Sequence, residues 1–246
     1  MPPPAPSSRI ETGDPRMDGT DDISIPAIPP LLAPGEQSLS DQAYTRILEM
    51  LLAGQLVPGE ALQERRLAQM MEISRTPVRE ALFRLEAEAL ILRGPGRKLV
   101  VNDISIESYV RLLDLRRILE MEAAARATGR ITAGKLAEVE AGLEEMLQLE
   151  SVSAAQHWAV DDLVHHTIAE AAGNPMLTRT ILDLRRRTHI FNTNRISHRR
   201  RPGTEEHLAL IRAAAGSDPE LTRRLMGTHL DHVRNAIVDF ILGIRH

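Results

Sequence analysis

The sequence predicts a mainly α protein in two parts: a small three-helix unit closed by a hairpin, then an antiparallel bundle of about six helices. Three observations carry this. Aromatic residues make up only 2% of a chain that is 43% apolar, and a composition rich in Ala, Leu and Arg favours packed helices over a β-sandwich. Apolar residues recur at helical spacing from Ser40 onward. The one stretch with strand-like alternation, "LILRGPGRKLVV", is short and turns at Gly94, Pro95 and Gly96, as a hairpin requires.

At 246 residues the chain has room for two modest domains. The absence of cysteine excludes disulfides and thiolate metal sites. No apolar stretch approaches the roughly 18 residues of a membrane span, and the N-terminus lacks a basic start followed by an apolar run. A soluble, cytoplasmic protein without a membrane partner is therefore expected. The net charge of −4 argues weakly against nucleic-acid binding, yet residues 39–102 hold nine basic and eight acidic groups. Where those cations stand matters more than their sum.

Residues 1–38 carry nine of the fifteen prolines and no lasting periodicity, which predicts a disordered, proline-rich tail. Next, "SDQAYTRILEMLLAG" puts Ala43, Ile47, Leu48, Leu51 and Leu52 on one face with Gly54 as its stop, a first helix. "PGE" makes a turn. "ALQERRLAQMM" gives a second helix with Leu62, Leu67, Met70 and Met71 inward. Only Glu72 to Ser74 separate it from "RTPVREALFRLEAEAL", whose start is fixed by Ser74 or Thr76 as cap and by Pro77 in the first turn. Two helices so tightly joined form a helix-turn-helix, and the hairpin that follows completes a winged helix over 39–102.

In that arrangement Arg75, Thr76 and Arg79 project from the start of the third helix, where a recognition helix meets base edges in the major groove. Arg97 and Lys98 fall at the wing tip, within reach of phosphate or the minor groove. Arg65 lies toward the same side, whereas Glu86 and Glu88 fall at the far end of the third helix. A plain packing module with solvated arginines is the alternative.

Beyond Asn102 the chain reads as helical to its end, residues 103–246, with breaks near Gly129 to Thr132, Ser151 to Ser153, Gly173 to Pro175, Pro202/Gly203 and Ser217 to Pro219. Within "DDLVHHTIAEAAGNPML", Asp162 and His166 stand one turn apart on one face amid apolar residues. Two unpaired ionisable groups on such a face need a partner. His207 in "TEEHLALI" and His229 in the last helix, where Met226 lies on the same stripe, can supply it. Three imidazoles and one carboxylate suit Zn²⁺, Ni²⁺, Mn²⁺ or Fe²⁺, not Ca²⁺, and a helical bundle is where such sites are built. On this reading His165, His189 and His232 face elsewhere, and His157, His198 and His246 are surface groups. An ordinary Asp–His hydrogen bond is the alternative.

At these residues the chain resembles a known family. "LVPGEALQERRLAQMMEISRTPVREALFRLEAEALI" is similar to the winged-helix pattern of GntR-type transcriptional regulators. The helical half resembles the FCD effector domain of their FadR-like branch: "DLRRILEMEAAARA" as its opening R-x-x-L-E helix, "DDLVHHTIAEAAGNPML" as its D-x-x-x-H helix, and "EEHLALI" and "MGTHL" as its later histidine helices. The resemblance spans about residues 39–240. It implies that Arg65, Arg75 and Arg79 contact palindromic double-stranded operator DNA, with Thr76 and the wing glycine Gly96 assisting. It implies a divalent metal, zinc foremost, on Asp162, His166, His207 and His229, and a small carboxylate effector met by Arg116. It further implies a homodimer; repression relieved by the effector is the default direction, which the sequence does not determine, and without a nucleophile motif or zinc-protease signature the chain is expected not to be an enzyme. Two departures stand out: Ala89 replaces the usual glycine after the recognition helix, and Pro95 sits in the wing. Arg199 to Arg201 make the "SHRRRPG" segment unusually basic, most simply a solvated loop. Two rival functions are kept. A metal-dependent hydrolase would use the same site with Glu170 as base, and a ligand-free dimerisation bundle would hold its histidines as buried polar filler.

Overall fold

The computed structural model describes residues 38–192 and 199–244. The expected tail, apart from Ser38, and the expected surface residues His198 and His246 lie outside them. Helix α1 (Leu39–Leu52) starts where the Ser38 hydroxyl accepts from the Asp41 N–H, and it buries Ala43, Ile47 and Leu51 as the periodicity requires. Strand β1 (Ala61–Leu62) and helix α2 (Glu64–Met70) follow. The second helix was expected to begin at Ala61. Its first two residues instead pair with a later strand, and Met70, expected inward, is 57% exposed.

Helix α3 (Arg75–Ala87) buries Pro77, Val78, Ala81, Leu82 and Leu85 against α1. Ser74 stands at its N-cap but makes no side-chain cap bond, and Thr76 lies within the first turn. Strands β2 (Ile91–Arg93) and β3 (Leu99–Val101) form the expected hairpin, and β1 adds to β3, giving an antiparallel sheet in the order β1-β3-β2. The wing tip is turned by Gly96 at φ 69° and Arg97 at φ 59°. Ala89 keeps the left-handed conformation, φ 56°, that a glycine adopts freely.

Six helices follow among the described residues: α4 (Ile106–Ala127), α5 (Ala133–Gln148), α6 (Ala154–Ala171), α7 (Pro175–Asn192), α8 (Arg200–Ala215) and α9 (Pro219–Leu242). Helix α4, about 33 Å long at 1.5 Å per residue, packs against α9, α7 and α6. Capping residues account for the boundaries: Ser105 for α4, Thr132 for α5, a Ser153/Gln156 capping box for α6, Asp218 for α9, and left-handed Gly243 at the end of α9. Val139, Leu143, Val164, Ile168, Leu210, Met226 and Leu230 form the main apolar core of the bundle. Leu221 and Ile241 continue the apolar spacing of α9 but are 40% and 37% exposed near its two ends. Ile190, near the end of α7, is buried in the core of the three-helix unit.

Candidate functional site

The capping box that starts α6 sets the phase of the whole helix. Val164, Ile168 and Ala172 are buried, and residues one turn apart on that face are Asp161 and His165. These two, with His207 of α8 and His229 of α9, offer four ligand atoms within 4.8 Å of one another. The expected pair Asp162 and His166 lies about 100° round the helix, one residue on. Asp162 faces the Arg185 Nε at 3.5 Å, and His166 is 42% exposed beside Glu170 at 3.3 Å. The cluster thus has Asp161 and His165 in place of Asp162 and His166, together with His207 and His229. Glu170 is exposed and holds only His166, so a base role at the cluster has no geometric support.

The imidazoles are oriented from outside the cluster. His165 Nδ1 donates to Glu120 Oε2 at 2.5 Å, and His229 Nδ1 donates to Glu206 Oε2 at 2.9 Å. With the protons on Nδ1, both Nε2 atoms carry lone pairs. They point at His207 Nε2, 3.0 Å and 3.2 Å away, and Asp161 Oδ1 is 3.5 Å from the same atom. One proton on His207 can satisfy only one of these acceptors. A divalent ion with ligands at about 2.1 Å holds neighbouring ligand atoms roughly 3.0–3.4 Å apart, so the donor set suits a metal, and the three spacings to His207 Nε2 lie close to that range while the full set lies within 4.8 Å. Carboxylates behind metal-bound histidines fix the tautomer and raise ligand basicity.

The ionic surroundings are balanced. Arg185, fully buried, donates to Asp161 Oδ2 at 2.6 Å, and Arg116 donates to Glu120 Oε1 at 2.6 Å and to Thr188 Oγ1 at 2.8 Å. Burial works against ionising Asp161 and Glu120, but Arg185 beside the first and Arg116 beside the second hold both carboxyls well below the usual range. Glu206 is held at about 2 against its own burial by His229 and Arg199. Burial keeps two of the imidazoles neutral, with His165 lowered to about 4 and His207 lowered well below its ordinary value.

A cavity opens beside the cluster, lined on one side by Asp161, His207 and His229 and elsewhere by Arg116, Trp158, Arg185, His189, Arg199 and Arg200. Arg116 thus borders it as expected, though already paired. His157 and His189, read as surface or outward groups, also line it. Arg200 Nη1 is spent on the Val152 carbonyl and Arg201 on that of Leu147, so these two tie the start of α8 to the end of α5 and the loop beyond it. Sequence reasoning passed over Arg185, Glu120 and Glu206. Only Glu120 had a signal, as the last position of the R-x-x-L-E pattern that begins at Arg116.

On the other unit Arg65, Arg75, Thr76 and Arg79 are exposed, and so are Gly96, Arg97 and Lys98 at the wing tip. Arg75 and Arg79 share one partner, Glu64, at 3.2 Å and 3.0 Å.

Residues 39–101 match the model of bacterial regulatory proteins of the gntR family, and residues 111–232 match the FCD domain. The HTH-type transcriptional repressor RspR of Escherichia coli is 24% identical over 204 residues, which cover 82% of this chain and 90% of that one. The HTH-type transcriptional regulator McbR of the same species is 30% identical over 148 residues, covering 60% and 67%. The HTH-type transcriptional regulator LutR of Bacillus subtilis is 27% identical, covering 76% and 96%. The solved structure of E. coli McbR/YncC superposes with a TM-score of 0.73 at 26% identity, covering 85% of this chain and all of the other.

Proposed function

Because the chain belongs to the GntR family of DNA-binding transcriptional regulators, in the group that carries an FCD domain, we propose that it is a metal-dependent sensor of a small organic acid that represses transcription until the acid binds. Residues 39–102 would be the DNA-reading part and residues 103–246 the sensing part. Asp161, His165, His207 and His229 would hold a divalent ion, zinc foremost and otherwise nickel, manganese or iron. When bound, that ion supplies a Lewis-acid position for a carboxylate oxygen.

The observation that carries this reading is the convergence of three imidazole Nε2 atoms and Asp161 on one point beside an arginine-lined cavity. The protein's own charges there already cancel in pairs: Asp161 with Arg185, Glu120 with Arg116, and Glu206 with Arg199. A divalent cation adds more charge than the one further carboxylate there, Asp162 at 3.5 Å from Arg185 Nε, can offset. An anionic ligand would complete the balance, with the arginines of the cavity wall giving charge-assisted hydrogen bonds. Two copies would place their recognition helices about one DNA turn apart on a palindromic operator, so a change in bundle packing would alter operator affinity. The repressor direction follows that of the relative RspR, a transcriptional repressor. A regulator of this kind works inside the cytoplasm, and no described helix is long and apolar enough to cross a membrane.

The test is elemental analysis of the purified protein. His207→Ala together with His229→Ala is expected to remove stoichiometric metal; unchanged content would show that these histidines are structural. A panel of organic acids is then screened by thermal shift with and without chelator. An acid that raises the melting temperature only in the metal-loaded protein, and releases operator DNA, is the expected result. Silence across a broad panel would favour the ligand-free dimerisation bundle.

A further inference from the structure

Arg75 and Arg79 stand four residues apart at the exposed start of α3, so they share a face. Like charges at that spacing repel, and the positive end of the helix dipole adds to the repulsion. No acidic residue lies in the first turn of α3. By themselves the two side chains would splay into solvent. Instead, one carboxylate from another helix gathers both. Glu64, the first residue of α2, accepts from Arg79 Nε at 3.2 Å and Nη2 at 3.0 Å, and from Arg75 Nη2 at 3.2 Å. Its place at a helix N-terminus favours a negative charge there.

The contact is not a stability device. The arginine side chains are 61% and 51% exposed, and ion pairs so open to water contribute little to folding. What the contact does fix is orientation. A guanidinium is planar, with a side edge of Nε and Nη2 and an end edge of Nη1 and Nη2. Glu64 occupies the side edge of Arg79 and so leaves the end edge free. Guanine presents O6 and N7 as a matching pair of acceptors in the major groove.

We propose that Glu64 is a positioning residue for base reading: it locks Arg79 and Arg75 side by side so that their free edges meet guanines, and thereby sets operator specificity. The inference rests on the reading of α3 as the recognition helix. It differs from the simpler role of a negative charge that masks two cations and weakens all DNA binding alike.

The experiment uses the full chain and a random-duplex selection, followed by affinity measurements on the selected operator and on unrelated duplex. Glu64→Gln removes the charge at constant shape, and Glu64→Asp keeps the charge but withdraws it by one methylene. Both are expected to lower the ratio of operator to unrelated affinity by roughly tenfold, as loss of a bidentate base contact does, and to blur the selected guanines. Melting temperatures should stay at the wild-type value. In an Arg79→Ala background, Glu64→Gln should cost much less discrimination than it does alone. Tighter binding to every duplex by Glu64→Gln, with an unchanged consensus and a wild-type Glu64→Asp, overturns the proposal in favour of the masking charge. An undiminished loss in the Arg79→Ala background also overturns it. If Arg79→Ala itself leaves affinity and consensus unchanged, the recognition-helix reading has failed, and the Glu64 role fails with it.

Discussion

Glu206 is the residue at which the candidate metal centre is best tested without damaging the fold. It accepts from His229 Nδ1, His232 Nδ1 and Arg199, and it is partly open to solvent, so Glu206→Gln, which keeps an acceptor oxygen for Arg199, disturbs the fold less than a change in the core. Loss of such a carboxylate behind a ligand typically lowers metal affinity about 10–100-fold. Competition against a chelator of known affinity measures it, and unchanged affinity would mean that Glu206 serves only Arg199. Glu120→Gln is a harsher change, because it strands buried Arg116 and is expected to cost about 3–5 kcal/mol of stability. The metal-free protein should also be acid-labile in a defined window. His165 has its folded pKa lowered from 6.5 to about 4 by burial, and burial shifts His207 in the same direction. The unfolded chain therefore takes up protons from about pH 6.5 downward that the folded chain refuses until about pH 4. The stability these groups contribute is fully present above pH 6.5 and is lost as pH falls toward 4. Melting curves of chelator-treated protein at pH 7.5, 6 and 5 should shift steadily downward, and a flat series would contradict buried neutral imidazoles. The off-by-one between Asp162/His166 and Asp161/His165 has its cause at this same scale. "DDLVHH" holds two Asp–His pairs at identical spacing, so both satisfy a D-x-x-x-H pattern. Only the inward phase separates them, and the residues that carry it are Ile168 and Ala172, which continue the face of Asp161 and His165 at seven and eleven residues on.

Elements were legible where one periodic stripe is buried against one partner. Helix α1, helix α3, the hairpin and the six helices of the bundle follow from spacing and caps because those signals are local. Strand β1 was not legible, since two residues are held there only by register with Val100 and Leu99, nearly forty positions away. The turn after α3 shows a local rule obeyed with the wrong residue. Ala89 sits at φ 56°, its N–H donates to the Glu86 carbonyl, and its own carbonyl accepts from Asn102 Nδ2 at 2.8 Å, so the turn is pinned from both ends. A left-handed alanine costs about 1–2 kcal/mol, part of which glycine would return to the greater freedom of the unfolded chain. Ala89→Gly should therefore raise the melting temperature by about 2–4 °C in a chain of this size. Calorimetry checks it, and a lower midpoint would show that the methyl group carries packing which outweighs the strain.

At the scale of the whole molecule, four consecutive residues at the end of α7 reach helix α4, the cavity and the core of the three-helix unit. Thr188 accepts from Arg116 in the bundle, His189 lines the cavity, Ile190 is buried in the core of the three-helix unit, and Phe191 stacks on Tyr109 of α4 with ring centroids 4.5 Å apart. His189 is the one that touches both the cavity and α1 of the three-helix unit. Its ring lies 3.9 Å from that of Trp158, and its Nε2 donates at 2.9 Å to the carbonyl of Leu52, the last residue of α1. That carbonyl has no partner within its own helix, so the imidazole serves as its cap. Burial holds His189 at about 4, so near neutrality it is uncharged and the proton on Nε2 belongs to this bond. A ligand that enters the cavity and displaces the ring from Trp158 must therefore disturb the end of α1, which packs on α3. Coupling between an effector and its target site is typically worth 5–150-fold in affinity. His189→Phe keeps an aromatic ring against Trp158 and removes the donor, whereas His189→Gln keeps a donor. The measurement is operator affinity with and without the first acid found to stabilise the metal-loaded protein. In the Phe variant the ratio of the two affinities should fall toward one, while metal content and acid binding stay within a few-fold of wild type. The Gln variant should retain most of the ratio. A wild-type ratio in the Phe variant would mean that the signal leaves the bundle by another route, for which contacts between two copies of the chain become the place to look.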